Sequence, residues 1–209
     1  AYLAGGGKML MVQDYTENEQ PNLAAVAAQY GMTLDAGIVL EGDATRHMRG
    51  SNYYLLPEID SHDITDPIRD GGYYILTPVA RAMTVDAGLR SGLTVSALLE
   101  TSADAYAKLD GYAMTTYDKE DGDLDGPFVL GVAASETTES GEEAQLVVFT
   151  SARMFEQATS SLVAGANDDL FLNALDWMCE RASAISIRTK SLDTEYLTVP
   201  TASASLLSA

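Results

Sequence analysis

Short apolar runs recur along the chain, and most are bounded by glycine or polar turn residues. In the two clearest runs, Val129–Val132 and Leu146–Phe149, successive residues are apolar and do not alternate with polar ones. A strand with this pattern has both faces covered, as in a parallel or mixed sheet between layers of helices. The predicted strands are Lys8–Gln13, Thr33–Leu40, Tyr73–Thr77, Ser96–Leu99, Phe128–Ala134, Gln145–Thr150 and Ile185–Arg188.

Two segments have the spacing of amphipathic helices. Pro21–Tyr30 begins with a proline, which suits a first helical position, and carries apolar residues three and four apart. Asn167–Ala182 begins with an asparagine that can cap the helix and has two aspartates in its first turn. Its apolar stripe comprises Phe171, Ala174, Leu175, Met178 and Ala182. Two further helices are expected after Ser102 and Ser151.

The alternation of strand, helix and strand predicts an α/β fold, a three-layer sandwich with a mostly parallel sheet flanked by helices. The length of 209 residues favours one domain, which we assign to residues 1–190. Residues 191–209 are rich in Ser, Thr and Ala, and are predicted to form an extended or frayed tail. Two stretches are predicted to be surface loops: Asp43–Asp63, and the acidic Asp118–Gly126 with its sequel Glu136–Glu143.

The charge balance excludes some classes of partner. Thirty-one acidic residues against twelve basic ones give a formal net charge of −19. Such a surface repels phosphate backbones and anionic lipid head groups, so we expect no nucleic-acid partner. No apolar run approaches the roughly 18 residues that cross a bilayer, so this segment is predicted to be soluble by itself. Cys179 is the only cysteine, which excludes an internal disulfide and a cysteine-rich zinc site.

One segment has part of a calcium-binding pattern. Asp121, Asp123, Asp125 and Gly126 match the first positions of a loop that wraps carboxylate oxygens around a hard cation. The pattern then fails, because Val132 occupies the twelfth position, where a bidentate glutamate is required. The segment is therefore either a cation-binding surface or a solvated acidic loop.

Residues that could support catalysis are few. Ser102 and Ser151 follow predicted strands, where a sharp turn can expose a nucleophile, but neither lies in a Gly-x-Ser-x-Gly sequence. Serines at such junctions also cap helices. Cys179 lies well past the first turn of its predicted helix, so we expect it to pack in the core or on the helix flank. His47 and His62 are the only histidines, and both are expected in loops.

A glycine triplet also has no clear chemical role. Gly5–Gly7 precedes its predicted strand, whereas a phosphate-binding loop follows a strand and opens a helix. We therefore expect no nucleotide site, and we assign no catalytic, cofactor-binding or metal-ligating residue to this chain.

Several short segments carry a resemblance to a known family. They are Tyr2–Val12, Pro21–Leu23, Gln29–Met32, Gly37–Leu40, His62–Thr65, Leu98–Ser102, Gly126–Ala133, Asn167–Met178 and Ile185–Lys190. In this order, they resemble the extracytoplasmic domain of the GldG-like (gliding-motility-type) auxiliary component of ABC transporters. The segment Asn167–Met178 is the most telling of them.

The resemblance implies a fold similar to flavodoxin-like domains and class I glutamine amidotransferases, without their catalytic cysteine. It implies a non-catalytic domain on the outer face of the membrane, anchored by transmembrane helices elsewhere in the parent chain. Its partners would be the permease and ATPase subunits of the same transport system. Family members usually carry a strand and a helix before the Gly-Gly-Lys step, so an exposed sheet edge could pair with a second copy of the chain.

Two other functions stay open alongside this hypothesis. One is an amidotransferase-like or hydrolase enzyme that uses Ser102, Ser151 or Cys179 together with a histidine. The other is a calcium- or carbohydrate-binding surface module centred on Asp121–Asp125. We take binding without enzymatic activity as the main hypothesis, because analogy of fold alone is weak evidence for an enzyme.

Overall fold

The computed structural model describes residues 2–179, so the predicted strand Ile185–Arg188 and the predicted tail 191–209 lie outside the described residues. The strands are β1 (Lys8–Val12), β2 (Met32–Leu40), β3 (His47–Met48), β4 (Ser51–Leu55), β5 (Glu58–Ile59), β6 (Thr77–Pro78), β7 (Arg81–Val85), β8 (Leu93–Glu100), β9 (Tyr106–Lys108), β10 (Leu124–Asp125), β11 (Val129–Thr137) and β12 (Glu143–Phe149). The helices are α1 (Pro21–Gln29), α2 (Asp66–Asp70), α3 (Gln157–Leu162) and α4 (Ala166–Met178). Short 3-10 helices lie at Leu3–Gly5, Gly111–Ala113 and Arg153–Phe155.

The strands form three sheets. The largest has five strands in the order β1-β12-β11-β8-β5, in which β1 pairs with β12 in parallel and the other three pairs are antiparallel. The second sheet, β10-β9-β2-β7, and the third, β3-β4-β6, are antiparallel throughout. Within the described part of the chain, β1 is therefore an edge strand of the largest sheet.

This arrangement shows that the predicted fold class was wrong. The chain is mostly β-structure in mixed and antiparallel sheets, and is not a mostly parallel three-layer α/β sandwich of the flavodoxin-like or amidotransferase-like kind. The continuous apolar pattern of β11 and β12 reports burial on both faces, but it does not report strand direction. Five residues, 138–142, connect these two strands. Parallel neighbours need a crossover of about a dozen residues or more, so this short link makes an antiparallel hairpin.

Burial on both faces was predicted correctly. Val147 and Phe149 of β12 pack into the main core together with residues of α2 and α4. The alternate residues Leu146 and Val148 pack on the opposite face with α1 and with methionines of β2 and β7. Because successive side chains of a strand point to opposite faces, β12 divides its side chains between two cores.

The two strongest helix predictions hold, with one change at the start of α4. Asn167 does not cap this helix; it is fully buried within the first turn. Its side-chain amide donates to the carbonyl oxygens of Leu76 and Met154 at 2.7 and 2.6 Å, and its oxygen accepts the Leu76 N–H at 3.1 Å. The buried stripe of α4 comprises Ala166, Asn167, Leu170, Ala174 and Met178, so Phe171 and Leu175 lie at its flank.

The weaker predictions fare less well. After Ser102 the chain enters β9 instead of a helix, whereas the helix expected after Ser151 forms as α3. Tyr73–Thr77 contributes only its last residue to a strand, and the predicted loop Asp43–Asp63 contains β3, β4 and β5. Across the described residues, no helix is both long enough and apolar enough to span a membrane.

Candidate functional site

The outer face of the four-stranded sheet carries a small core of its own. Ile38 and Leu40 of β2 and Tyr106 of β9 are buried there, whereas the intervening Val39 packs into the main core. This alternation is that of a strand covered on both faces. The partly buried residues Tyr15, Tyr53, Val79 and Met114 pack against this small core.

Tyrosine rings dominate this region. We define the tyrosine face as Tyr15, Tyr53, Tyr106, Tyr112 and Tyr117. The ring centroids of Tyr15 and Tyr112 lie 5.2 Å apart in an edge-to-face arrangement, and those of Tyr53 and Tyr117 lie 5.3 Å apart. Tyr112 and Tyr117 are each 54% exposed. Tyrosine is enriched in protein interfaces because it offers a large apolar ring with a polar end.

The chain between β9 and β10 is fitted closely to this face. The Tyr106 hydroxyl donates to the Tyr117 carbonyl oxygen at 2.5 Å, which ties the segment to the sheet. Gly111 has a φ of 53°, and a Cβ atom there would lie 1.9 Å from the Tyr15 hydroxyl oxygen. Glycine is therefore required at this position, because only it combines this conformation with so close an approach.

A buried lysine anchors the same segment. Lys108 of β9 is 1% exposed, and its ammonium group donates to the Asp118 carbonyl oxygen at 3.0 Å. It also pairs with the carboxylates of Glu120 at 2.5 Å and Asp123 at 3.0 Å. Its hydrogen bond to Glu120 raises the pKa of the Lys108 ammonium group. The lysine therefore stays charged and holds three points of one loop.

The partial calcium pattern lies in this loop. Asp123 pairs with Lys108, and Asp125 of β10 pairs with Lys119. Two of the three carboxylates in Asp121–Asp125 therefore face lysine ammonium groups. Within residues 2–179, no group of three or more His, Cys, Asp or Glu side chains is arranged to hold a metal ion.

Ser151 has a structural bond beneath the tyrosine face. The backbone of Val79 has a φ of 52°, a left-handed conformation that is strained for a β-branched residue. Its N–H donates to the Tyr53 carbonyl oxygen at 2.8 Å, and the buried Ser151 hydroxyl donates to the Pro78 carbonyl oxygen at 2.5 Å. Strained residues persist only where their surroundings fix them, so Ser151 acts here as a clamp on the backbone.

Ser102 is engaged in a similar way. Its hydroxyl donates to Oε1 of Glu41 at 2.5 Å, and its N–H donates to Oε2 of the same carboxylate at 3.1 Å. Glu41 is buried, and the Asp104 N–H donates to the Ser102 hydroxyl at 3.1 Å. These bonds join the end of β8 to the end of β2.

The two histidines make bonds of their own within their local segments. His47 lies in β3, and its Nδ1 donates to the Met48 carbonyl oxygen at 2.8 Å. His62 precedes α2, and its Nδ1 accepts the Ile64 N–H at 3.1 Å. The His62 ring packs edge-to-face on Trp177 at 5.3 Å, and burial lowers the pKa of its imidazole. In these hydrogen bonds, neither histidine is a partner of the Ser102 or the Ser151 hydroxyl.

Two further predictions concern the ends of elements. Cys179 directly follows α4 and is exposed, which corrects the prediction that it packs in the core or on the helix flank. The helix ends at Met178, four residues before Ala182, its predicted last residue, and Cys179 is its C-cap. Gly5–Gly7 precedes β1, as predicted from the sequence.

A concavity of about 320 Å³ lies beside α1. There Arg90 donates to both carboxylate oxygens of Glu136, at 2.7 and 2.6 Å, and to the Gln29 carbonyl oxygen. Its guanidinium group also stacks 5.4 Å above the Tyr30 ring. All three guanidinium nitrogens are thus bonded within the protein, so we favour the tyrosine face as the candidate site.

Sequence reasoning missed the tyrosine face. Its five rings come from the segment after β1, from β4, from β9 and from the loop that follows β9. No motif joins these segments. The one available signal is composition, since the chain has eleven tyrosines against four phenylalanines and one tryptophan.

Comparisons with known proteins bear on the fold. No family model matches the chain, and no curated protein matches it. A solved structure titled "mmIFT52 N-terminal domain" is similar, with a TM-score of 0.53 and 14% sequence identity. The match covers 85% of this chain and 67% of that one. The likeness shows that this chain shares the fold of that domain.

Proposed function

We propose that this chain is a non-catalytic domain that binds a partner protein through the tyrosine face. The observation that carries the proposal is the pair of exposed rings, Tyr112 and Tyr117, each seated against a half-buried ring, Tyr15 or Tyr53. A ring that is already fixed loses little freedom on binding. Rigid aromatic anchors of this kind dominate the energy of many interfaces.

The bonds of the candidate nucleophiles support the non-catalytic part of the proposal. The hydroxyl of Ser102 donates to the buried Glu41, and that of Ser151 donates to the carbonyl oxygen beside strained Val79. Turning either hydroxyl toward a substrate would break a hydrogen bond to a buried or strained part of the chain, at a cost of about 0.5–1.5 kcal/mol.

We further propose that this domain is the extracytoplasmic part of a GldG-like ABC transporter auxiliary component. The segments that resemble the family support this, since they include β1, the start of β11 and nearly all of α4. In this proposal the parent chain is anchored in the membrane, and the permease and ATPase subunits of the same transport system are the partners.

The test is the affinity of the domain for the detergent-solubilised permease–ATPase complex of its own transport system. Tyr112→Ser with Tyr117→Ser removes both exposed anchors, and we expect binding to weaken by about a hundredfold, the loss typical of two hot-spot residues. Leu162→Ser with Leu172→Ser is the matched control, because these leucines are 61% and 56% exposed on α3 and α4. Equal loss in both variants, or no binding by the unaltered domain, would refute the proposal.

The edge strand β1 favours a second copy of the chain as an additional partner. The Gln145 N–H donates to the Gly7 carbonyl oxygen, and the Gln13 N–H donates to that of Phe149. The parallel register therefore turns the backbone N–H and C=O groups of Leu10 and Val12 away from β12, at the edge where a further strand can pair. Light scattering across a concentration series should then show a dimer, and a monomer at every concentration would exclude this pairing.

A further inference from the structure

We propose that the tyrosine face binds a segment of the partner protein that carries lysine or arginine side chains. This inference rests on the proposed function and adds the chemistry of the partner. The carboxylates around the rings decide which kind of segment can be buried against them.

Carboxylates lie on both sides of the face. Glu17 and Asp110 are close enough to Tyr15 to act on its hydroxyl: burial raises its pKa most, and these charges raise it further, against an opposing effect of Arg81. Burial raises the pKa of Tyr106 as well, Asp118 adds to this effect, and Lys108 opposes it. Asp110 directly precedes Gly111, which lies against the Tyr15 hydroxyl, and Asp118 directly follows Tyr117, whose carbonyl oxygen accepts the Tyr106 hydroxyl. Acidic residues therefore border the face on both sides.

The carboxylates beside the face are not held in ion pairs by the described residues. Glu17, Asp110 and Asp118 form no ion pair with another described residue. The basic groups that do form ion pairs in residues 2–179 are bonded to other acids, namely Arg46, Arg69, Arg90, Lys108 and Lys119. A neutral partner that covered the face would desolvate these carboxylates without compensation, which is costly.

A cationic segment meets both features of the face. Guanidinium and ammonium groups are attracted to the faces of tyrosine rings, and they pair with carboxylates at the rim. Arginine is favoured over lysine, because its planar guanidinium group stacks on a ring while its donors remain available to an acid. The net charge of −19 would also speed the encounter with a basic partner.

The test uses a short fluorescent peptide of alternating glycine and arginine, with a glycine–glutamine peptide of equal length as the neutral control. We expect the arginine peptide to bind, and its affinity to fall by about tenfold or more as salt is raised from about 50 to 300 mM. Binding of the neutral peptide, or of a neutral oligosaccharide, with equal affinity would overturn the inference.

Two pairs of substitutions test whether the arginine peptide binds at the tyrosine face. Asp110→Asn with Asp118→Asn should lower the affinity for the arginine peptide by about tenfold, the loss of roughly one favourable charge contact. Glu139→Gln with Glu142→Gln removes two exposed acids in the β11–β12 turn and should leave binding within about twofold. Equal weakening by both pairs would mean that the peptide responds only to net charge, and would contradict the assigned site.

The two proposals can fail separately. If the permease–ATPase complex binds through Tyr112 and Tyr117 with no dependence on salt, the cationic segment is wrong and the proposed function stands. If the arginine peptide binds at the tyrosine face but the complex does not, the chemistry of the face stands and the transporter role is wrong.

Discussion

The five-stranded sheet and the tyrosine face are built in different ways. In the sheet, β11 and β12 are apolar and buried along most of their length, and their side chains fill two cores from neighbouring segments. In the tyrosine face, one buried lysine and one tyrosine hydroxyl hold an acidic loop over a small core. The first region is stabilised by apolar burial, and the second depends on a few polar bonds. Mutations should therefore affect the two regions differently.

The largest effect is expected in the core beneath α4. Leu170 is fully buried in the main core, so Leu170→Ala should lower the free energy of unfolding by about 2–5 kcal/mol. Leu172, two residues along and exposed, is the matched control, and its alanine variant should change stability by less than about 0.5 kcal/mol. Chemical denaturation of both variants measures this difference, and similar losses would mean that the buried face of α4 is assigned wrongly.

Loss of the Lys108 bonds should release the loop beside the tyrosine face while the main core stays folded. Lys108→Met removes three bonds from the loop and leaves the buried Asp123 without its ion-pair partner, so limited proteolysis within residues 109–123 should speed up about tenfold. Lys119→Met is the control, because it breaks an exposed ion pair with Asp125 and should change the rate by less than about twofold. Equal cleavage rates in the two variants would show that Lys108 does not anchor the loop.

The smallest effect concerns the edge of the five-stranded sheet. Glu58 and Glu100 are directly opposed across β5 and β8, and burial, followed by the charges of Asp60 and Glu58, raises the pKa of Glu100. A raised pKa means that the stabilising contribution is complete below the unfolded pKa and is lost as pH rises through the folded pKa. Glu100→Gln should therefore add about 0.2–1 kcal/mol at pH 7 and nothing at pH 3.

The pKa of Glu136 is shifted in the opposite direction, so Glu136 serves as the control for that measurement. The hydrogen bonds from Arg90 lower the pKa of Glu136, so its contribution is present above the unfolded pKa and is lost as pH falls through the folded one. Glu136→Gln should therefore destabilise the protein at pH 7 and have little effect at pH 3. Denaturation curves at both pH values check the pair, and a loss of stability in Glu100→Gln at pH 7 would contradict the assignment.

The sequence predicted burial well and topology poorly. The apolar runs correctly located β1, β2, β8, β11 and β12, because a strand that is largely buried is apolar at most of its positions. The direction of pairing is instead indicated by the connections: even the ten residues between the predicted strands Phe128–Ala134 and Gln145–Thr150 are fewer than a helical crossover needs. The extended segment from Asp43 to Asp63 was missed because β3 and β5 have only two residues each.

The candidate site was harder to predict, for a physical reason. The partners of Tyr15 and Tyr53 are about 100 and 60 residues further along the chain, and only folding brings these rings together. Asn167 shows the same limit: a residue that suits an N-cap by type lies two positions after the actual N-cap, Gly165, and bonds instead to Leu76, 91 residues away in sequence. Local sequence propensity cannot reveal a hydrogen bond between residues so far apart in the sequence.

Site-specific photo-crosslinking in cells is the most direct test of the proposal that the tyrosine face is a docking surface. A benzophenone amino acid in place of Tyr117 should yield an adduct with a subunit of the proposed transporter, whereas the same group in place of Leu172 should yield none. Adducts from the Leu172 position alone, or from neither position while the transporter is assembled, would contradict the account.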